Sequence, residues 1–313
     1  VSGVLVLDRA QTRAALDPVE VTAAVARALV AIARDEVSAP PRIAARTPTG
    51  LLGAMPGHVP GLGLAAKLVS VFADPAAPGR SSHRGVVALF DERDGRPLAL
   101  MDAEPLTAVR TAACATLSMR ALAAPVPRRV AVLGTGTQAR AQLALLAGLD
   151  PRTEVVVGGR DTDRARRTAE LLPGAASATV AEALDGADVV LCCTDASTPV
   201  LHRAALAPGA HVSSVGGSRG PELDAATVRE GTLFAEWPGA VSPPPAGAHE
   251  LSGVPAERLT LLGAVLDGTA PGRRSAQELT VFKSTGHAAL DVAAAAVVHR
   301  TALARGLGTV VDL

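Results

Sequence analysis

The chain opens on a short apolar run over residues 4–7 that reads as a strand. After a turn, Asp17-Pro18 sets a capping side chain ahead of a proline at the first helical position. Val21, Val25, Leu29 and Ile32 then recur at helical spacing. Residues 36–60 are rich in Pro and Gly and predict loop with short strands. An apolar run over 61–72 predicts a strand, and a Pro/Gly/Ser loop over 73–85 follows it. Two apolar runs around Asp94-Gly95, within 86–102, predict a hairpin. From Thr107, just behind Pro105, the spacing turns helical until Pro125 and Pro127 stop it.

Beyond Arg128 the rhythm changes. Apolar runs at 130–133, 154–159, 187–194, 211–217 and 232–237 alternate with helical segments. That alternation predicts an α/β fold with a parallel sheet whose last strand is 232–237. An Ala-rich helix over 286–305 is expected to return to the first domain.

Composition narrows the class. A length of 313 residues suggests about two domains. Thirty basic and thirty acidic side chains cancel, and aromatic residues make up 2%. Nucleic-acid binding, which needs a basic excess and stacking platforms, is not expected. No apolar run has the length of a membrane span, and the first residues, VSGVLVLDRAQ, predict no signal peptide. Three cysteines without framework spacing fit a reduced, cytoplasmic chain. The histidines show no metal-ligand spacing, and most read as surface or loop residues. Of the basic residues only Lys67 and Lys283 are lysine; the rest are arginine.

The segment VAVLGTGTQARAQLALL follows a strand and opens a helix. Gly134 and Gly136 allow a tight turn, Ala139 takes the third glycine's place, and Thr137 and Gln138 begin the helix whose amides would face a pyrophosphate. This predicts a dinucleotide site. The second strand ends at Gly158-Gly159-Arg160-Asp161. Arg160 stands where an acid would bind the ribose of NAD, so NADP(H) is favoured, with NAD(H) the alternative because Asp161 is one residue on. Gly216-Gly217-Ser218-Arg219-Gly220 also matches the hydrolase pattern GxSxG. Pro221 directly behind it argues against a nucleophile elbow. The upstream glycine turn explains the loop instead as a strand end facing the nicotinamide, with Thr194, Gly216 and Ser218 toward the cofactor.

Three blocks resemble the ornithine cyclodeaminase/mu-crystallin family. They are Pro41-Arg42 with Met55-Pro56 and Ala66-Lys67; Leu106-Thr107-Ala-Val-Arg110-Thr111-Ala-Ala; and Gly272-Arg273 through Glu278, Thr280, Phe282-Lys283-Ser284-Thr-Gly286 to Asp291. The resemblance implies a Rossmann doubly wound sheet, 125–279, inserted into an α+β domain, 1–124 plus 280–313, that binds substrate and forms a homodimer. It implies a substrate site between the two domains. Arg42, Lys67 and Arg110 would hold a substrate carboxylate beside the nicotinamide, and Thr111 and Ser284 would face the cofactor. Arginine forks suit a carboxylate, and a lysine's proton affinity can be tuned by burial.

Ser218 stands where cyclodeaminases carry an aspartate after the glycine pair. A serine is no carboxylate base, so the resemblance implies imine reduction or amino-acid dehydrogenation on a small amino, imino or keto acid. Two alternatives stay open: an ornithine or lysine cyclodeaminase that recycles its NAD, and a non-catalytic NADPH- or ligand-binding protein of mu-crystallin type. Substrate specificity is expected to lie in loops 73–85 and 238–256.

Overall fold

The computed structural model describes residues 3–72, 83–217 and 219–312. The chain forms two compact units, one of residues 1–110 with 287–313 and one of residues 111–286. The first takes both chain ends. The sequence reading had set the boundaries at 124/125 and 279/280.

In the first unit, β1 (Val4–Leu7) leads into α1 (Arg9–Ala15), a helix where the sequence had suggested a turn. Its capping box reads Asp8-x-x-Gln11, too short a signal to stand out ahead of the longer helix. Next, α2 (Pro18–Ala33) starts on the predicted Asp17 cap. The strands β2 (Ile43–Thr47), β3 (Gly50–Val59), β4 (Gly63–Phe72), β5 (His83–Phe90) and β6 (Pro97–Asp102) follow. The hairpin β5–β6 turns at Gly95, whose φ of 75° suits glycine. The expected loop over 73–85 falls outside the described residues up to Ser82, and His83–Gly85 belong to β5. The helix α3 (Ala103–Leu122) begins here and continues past Arg110 into the second unit. The unit closes with the chain's last helix (Ala288–Arg305) and last strand (Thr309–Val311), named α9 and β15 below.

Its seven-stranded sheet runs β15-β1-β6-β5-β4-β3-β2. The Pro/Gly-rich stretch is not mostly loop: β3 is ten residues long. The small residues are there because α9 lies against the strand. A Cβ on Gly57 would sit 3.0 Å from the Cβ of Ala288 and 3.5 Å from Val292. Met55, Lys67 and Val87 are neighbours in register and buried on this helix-covered side. The opposite side carries exposed Ile43 (69%), Leu52 (49%), Leu64, Leu68 (40%), Phe72 and Val86, all on one face by register.

The second unit alternates strand and helix: β7 (Arg129–Leu133), α4 (Thr137–Leu146), β8 (Glu154–Gly158), α5 (Thr162–Ala169), β9 (Ala176–Ala178), α6 (Val180–Leu184), β10 (Val189–Cys192), β11 (His211–Ser214), α7 (Ala225–Glu230), β12 (Thr232–Ala235), β13 (Leu259–Leu261), α8 (Leu262–Leu266) and β14 (Thr280–Lys283). All eight strands are parallel, in the order β13-β12-β14-β11-β10-β7-β8-β9. The inner strands β7, β8, β10, β11, β12 and β14 are buried on both faces, and the edge strands β9 and β13 are not. β12 is not the last strand: β14 inserts between β11 and β12, and its four residues were hidden in the family block around Lys283. His211 is likewise no surface histidine. It is fully buried on β11, where its ring meets Ser118 Oγ at 3.2 Å and Thr280 Oγ1 at 3.0 Å. Burial pushes its pKa down to about 3. Among the described residues no helix is long and apolar enough to cross a membrane.

Candidate active site and cofactor cradle

Two clusters carry chemistry, one in each unit. In the first, Lys67 comes from β4, Arg110 from α3 and Asp291 from α9. All three are buried, Asp291 to 1% exposure. Lys67 Nζ donates to Asp291 Oδ1 at 3.1 Å and lies 3.0 Å from Oδ2. Arg110 Nε donates to the same Oδ1 at 2.9 Å. Thr107 Oγ1, one turn before Arg110 on α3, is 3.5 Å from Lys67 Nζ. Asp291 is the only acid in a helix otherwise built of Ala, Val and Leu on its buried side.

The charges set the proton affinities. Burial lowers the Lys67 pKa; Asp291 raises it, and Arg110 and Arg42 lower it again, to about 8. Burial works to raise the Asp291 pKa, but Arg110 and Lys67 outweigh it and hold the carboxyl below its ordinary value. His287, the N-cap of α9, is pushed down to about 4, chiefly by burial and further by Arg110 and Arg42. Arg42, half-buried just before β2, is thus close enough to act on the cluster. Two formal positive charges, on Lys67 and Arg110, meet one negative charge on Asp291, and Arg42 acts on the same cluster. The balance favours an anion such as a carboxylate.

The sequence brought Arg42, Lys67 and Arg110 forward but gave Asp291 no role, and it did not join His287 to this cluster. The available signal was an acid inside an Ala-rich buried helix, four residues after a histidine.

In the second unit the cradle lies at the carboxyl ends of the parallel strands. Gly134 has φ 119°, and a Cβ there would sit 2.5 Å from the Cys193 carbonyl oxygen. Gly136 is the N-cap of α4, no side chain caps that helix, and nothing lies within 4 Å of where its Cβ would be. Open space over an uncapped helix N-terminus fits a pyrophosphate. Thr137 is exposed, Gln138 half-buried, and Ala139 fully buried against the sheet. Arg160 is exposed past the end of β8. Asp161 Oδ1 accepts from Arg164 N at 2.9 Å as the cap of α5, so this acid is engaged locally.

Thr194 and Gly216 are brought together, and the residue that does so had no part in the sequence reading. Glu222, fully buried, accepts from Thr194 N (2.8 Å), Thr194 Oγ1 (2.6 Å), Ser214 Oγ (2.7 Å) and Gly216 N (2.8 Å). Ser284 follows β14, buried, with its amide donating to Ser214 O at 2.9 Å. Thr111 is buried on α3 next to Arg110. Ser218 lies outside the described residues.

A doubly wound parallel sheet with a glycine turn at a helix N-terminus is the cofactor fold of a nicotinamide-dependent oxidoreductase. The chain belongs to the ornithine cyclodeaminase/mu-crystallin family, whose model matches residues 4–306. It is 33% identical over 255 residues to the ketimine reductase mu-crystallin of Mus musculus, covering 80% of each chain. Among solved structures, it is similar to a Thermococcus litoralis Δ1-pyrroline-2-carboxylate reductase in complex with NADH and L-proline (27% identity, TM-score 0.88, covering 98% of this chain and 100% of that one). It is also similar to an archaeal alanine dehydrogenase dimer with bound NAD (26% identity, TM-score 0.88, 98% of both chains).

Asp291→Asn leaves two buried cations on a neutral amide. It is expected to cost about 3 kcal/mol in denaturant unfolding. A loss below about 1 kcal/mol would show that the carboxylate does not hold the cluster.

Proposed function

We propose that the protein reduces a 2-imino acid with NAD(P)H. Cyclic ketimines such as pyrroline- or piperideine-2-carboxylate, or the imine of a 2-keto acid and an amine, are the substrate class. The observation that carries this reading is the buried Lys67–Asp291–Arg110 cluster with its excess of positive charge. Arg110 and Arg42 hold the substrate carboxylate. Lys67, kept near its titration point by burial, donates a proton toward the imine nitrogen as the carbon is reduced. The C=N bond thereby becomes an amine C–N bond, gaining a hydride at Cα and a proton at nitrogen. The nicotinamide supplies the hydride when bound. Asp291 holds the two cations in place and keeps Lys67 from losing its proton below neutral pH.

The donor role fixes a sign. Lys67 is competent when protonated, so kcat/KM for reduction stays level below pH 8 and falls as pH rises through about 8. A panel of cyclic imines, and of keto acids with amines, is scored by NAD(P)H oxidation. Lys67→Met is expected to bind cofactor and lose at least roughly a hundredfold in turnover. Unchanged turnover would remove Lys67 from the mechanism. Ammonia release from ornithine without net change in cofactor absorbance would favour the cyclodeaminase reading. Tight NADPH binding without turnover on any substrate would favour a binding protein.

The exposed Arg160 and the engaged Asp161 favour NADP(H) over NAD(H). Arg160→Ala is expected to lower kcat/KM for NADPH by roughly tenfold or more, and to leave NADH within about threefold. Equal effects on both would leave Arg160 without a part in the choice.

The apolar outer face of the first sheet, with Leu52, Leu68 and Val86 in adjacent strands, serves as the homodimer surface. Sedimentation is expected to give the mass of two chains, and Leu68→Arg that of one. A monomeric wild type would refute this assignment.

A further inference from the structure

The buried charges of the second unit are not explained by strand packing. Lys283 ends β14 in register with Ser214 of β11, itself in register with Cys192 of β10. Its Nζ donates to Ser214 Oγ at 2.8 Å and to the Gly216 carbonyl at 2.9 Å. Glu250, from the 238–256 loop, lies 2.9 Å from the same Nζ, and Glu222 lies 3.9 Å from it. Lys283, Glu222 and Glu250 are all at most 2% exposed at the side chain.

The outcome at Gly216 is specific. Its N–H donates to Glu222 and its C=O accepts from Lys283, so opposite charges hold both polar groups of one residue. The backbone there has no room to relax: a Cβ would collide with the Thr194 carbonyl, and one at Gly217 would sit 3.0 Å from Lys283 Nζ. Glu222 also ties down Thr194 through both its amide and its hydroxyl. The ends of β10 and β11 are therefore joined by one carboxylate, and the ends of β11 and β14 by one ammonium.

In a doubly wound sheet the glycine turn after β7 serves the adenosine half of a dinucleotide. The strands on the far side of the order reversal, here β10, β11 and β14, serve the nicotinamide half. We propose that Glu222 and Lys283 are a positioning pair for the nicotinamide end of the cofactor, acting through Gly216 and Thr194 and not by touching the ring. The inference rests on the cofactor reading given above. It also explains the second lysine. A compact ammonium donates to Ser214 and Gly216 while pairing with Glu250 at 2.9 Å, which a planar guanidinium in that buried space would not do.

The test separates the two halves of the cofactor. Binding of NAD(P)H and of ADP-ribose, or its 2′-phosphate, is measured by calorimetry well below the unfolding temperature. Glu222→Gln keeps size but replaces an acceptor oxygen with a donor. It is expected to weaken NAD(P)H roughly tenfold or more, with ADP-ribose affinity unchanged within about threefold. If Glu222→Gln does not fold, Ser214→Ala, which removes one bond to each member of the pair, is expected to show the same split with a smaller, several-fold loss. Equal weakening of both ligands would mean a purely structural role and overturn the proposal, as would undiminished NAD(P)H binding. A wild type that binds neither ligand would remove the cofactor reading itself, and this inference with it.

Discussion

The first unit depends on one buried carboxylate. Asp291 accepts from Lys67 on a strand and from Arg110 on a helix, and it sits on a third element, α9. Three charges out of water are costly, and they persist because each has a charged partner with hydrogen-bond geometry. That constraint dictates much of the surrounding sequence. α9 must come close to β3 and β4, so it is built from Ala and Val where it packs, and β3 carries Gly57 beneath Ala288. Lys67 is buried beside arginines and also held by an acid, and the balance of these lowers its pKa to about 8.

The second unit solves a related problem with a different arrangement. Parallel strands end in a row, and the loops that leave them are held in place by buried charges. Gly134 supplies close approach at the first turn, and Glu222 with Lys283 fixes the loops after β10 and β11. Both lysines of the chain are thus deeply buried at strand positions, each with carboxylate partners. The arginine-rich remainder is mostly at the surface, where either cation would serve.

Much of this was legible from residues alone. Strand–helix alternation and the glycine turn announced the parallel sheet, because buried strands need continuous apolar runs and tight turns need glycine. Arg42, Lys67 and Arg110 were brought forward by family resemblance. What stayed hidden has a physical pattern. β3 was obscured because its glycines and Pro56 serve packing against a helix far along the chain. β14 is only four residues and takes its place by inserting between strands made earlier. Asp291 and Glu222 act over separations of 224 and 28 residues, to Lys67 and Thr194, and no local spacing encodes such a contact.

The proposed proton donation requires Lys67 to be a buried ammonium poised near neutral pH. With two lysines in the chain, 15N-lysine labelling gives two side-chain signals, and Lys67→Met assigns them. The most direct measurement is the pH titration of the Lys67 Nζ resonance in the protein without substrate or cofactor. The expected midpoint is about 8. A midpoint at the ordinary lysine value of about 10.4 would contradict it, since the ammonium would then be a much weaker acid, not poised to give up its proton near neutral pH.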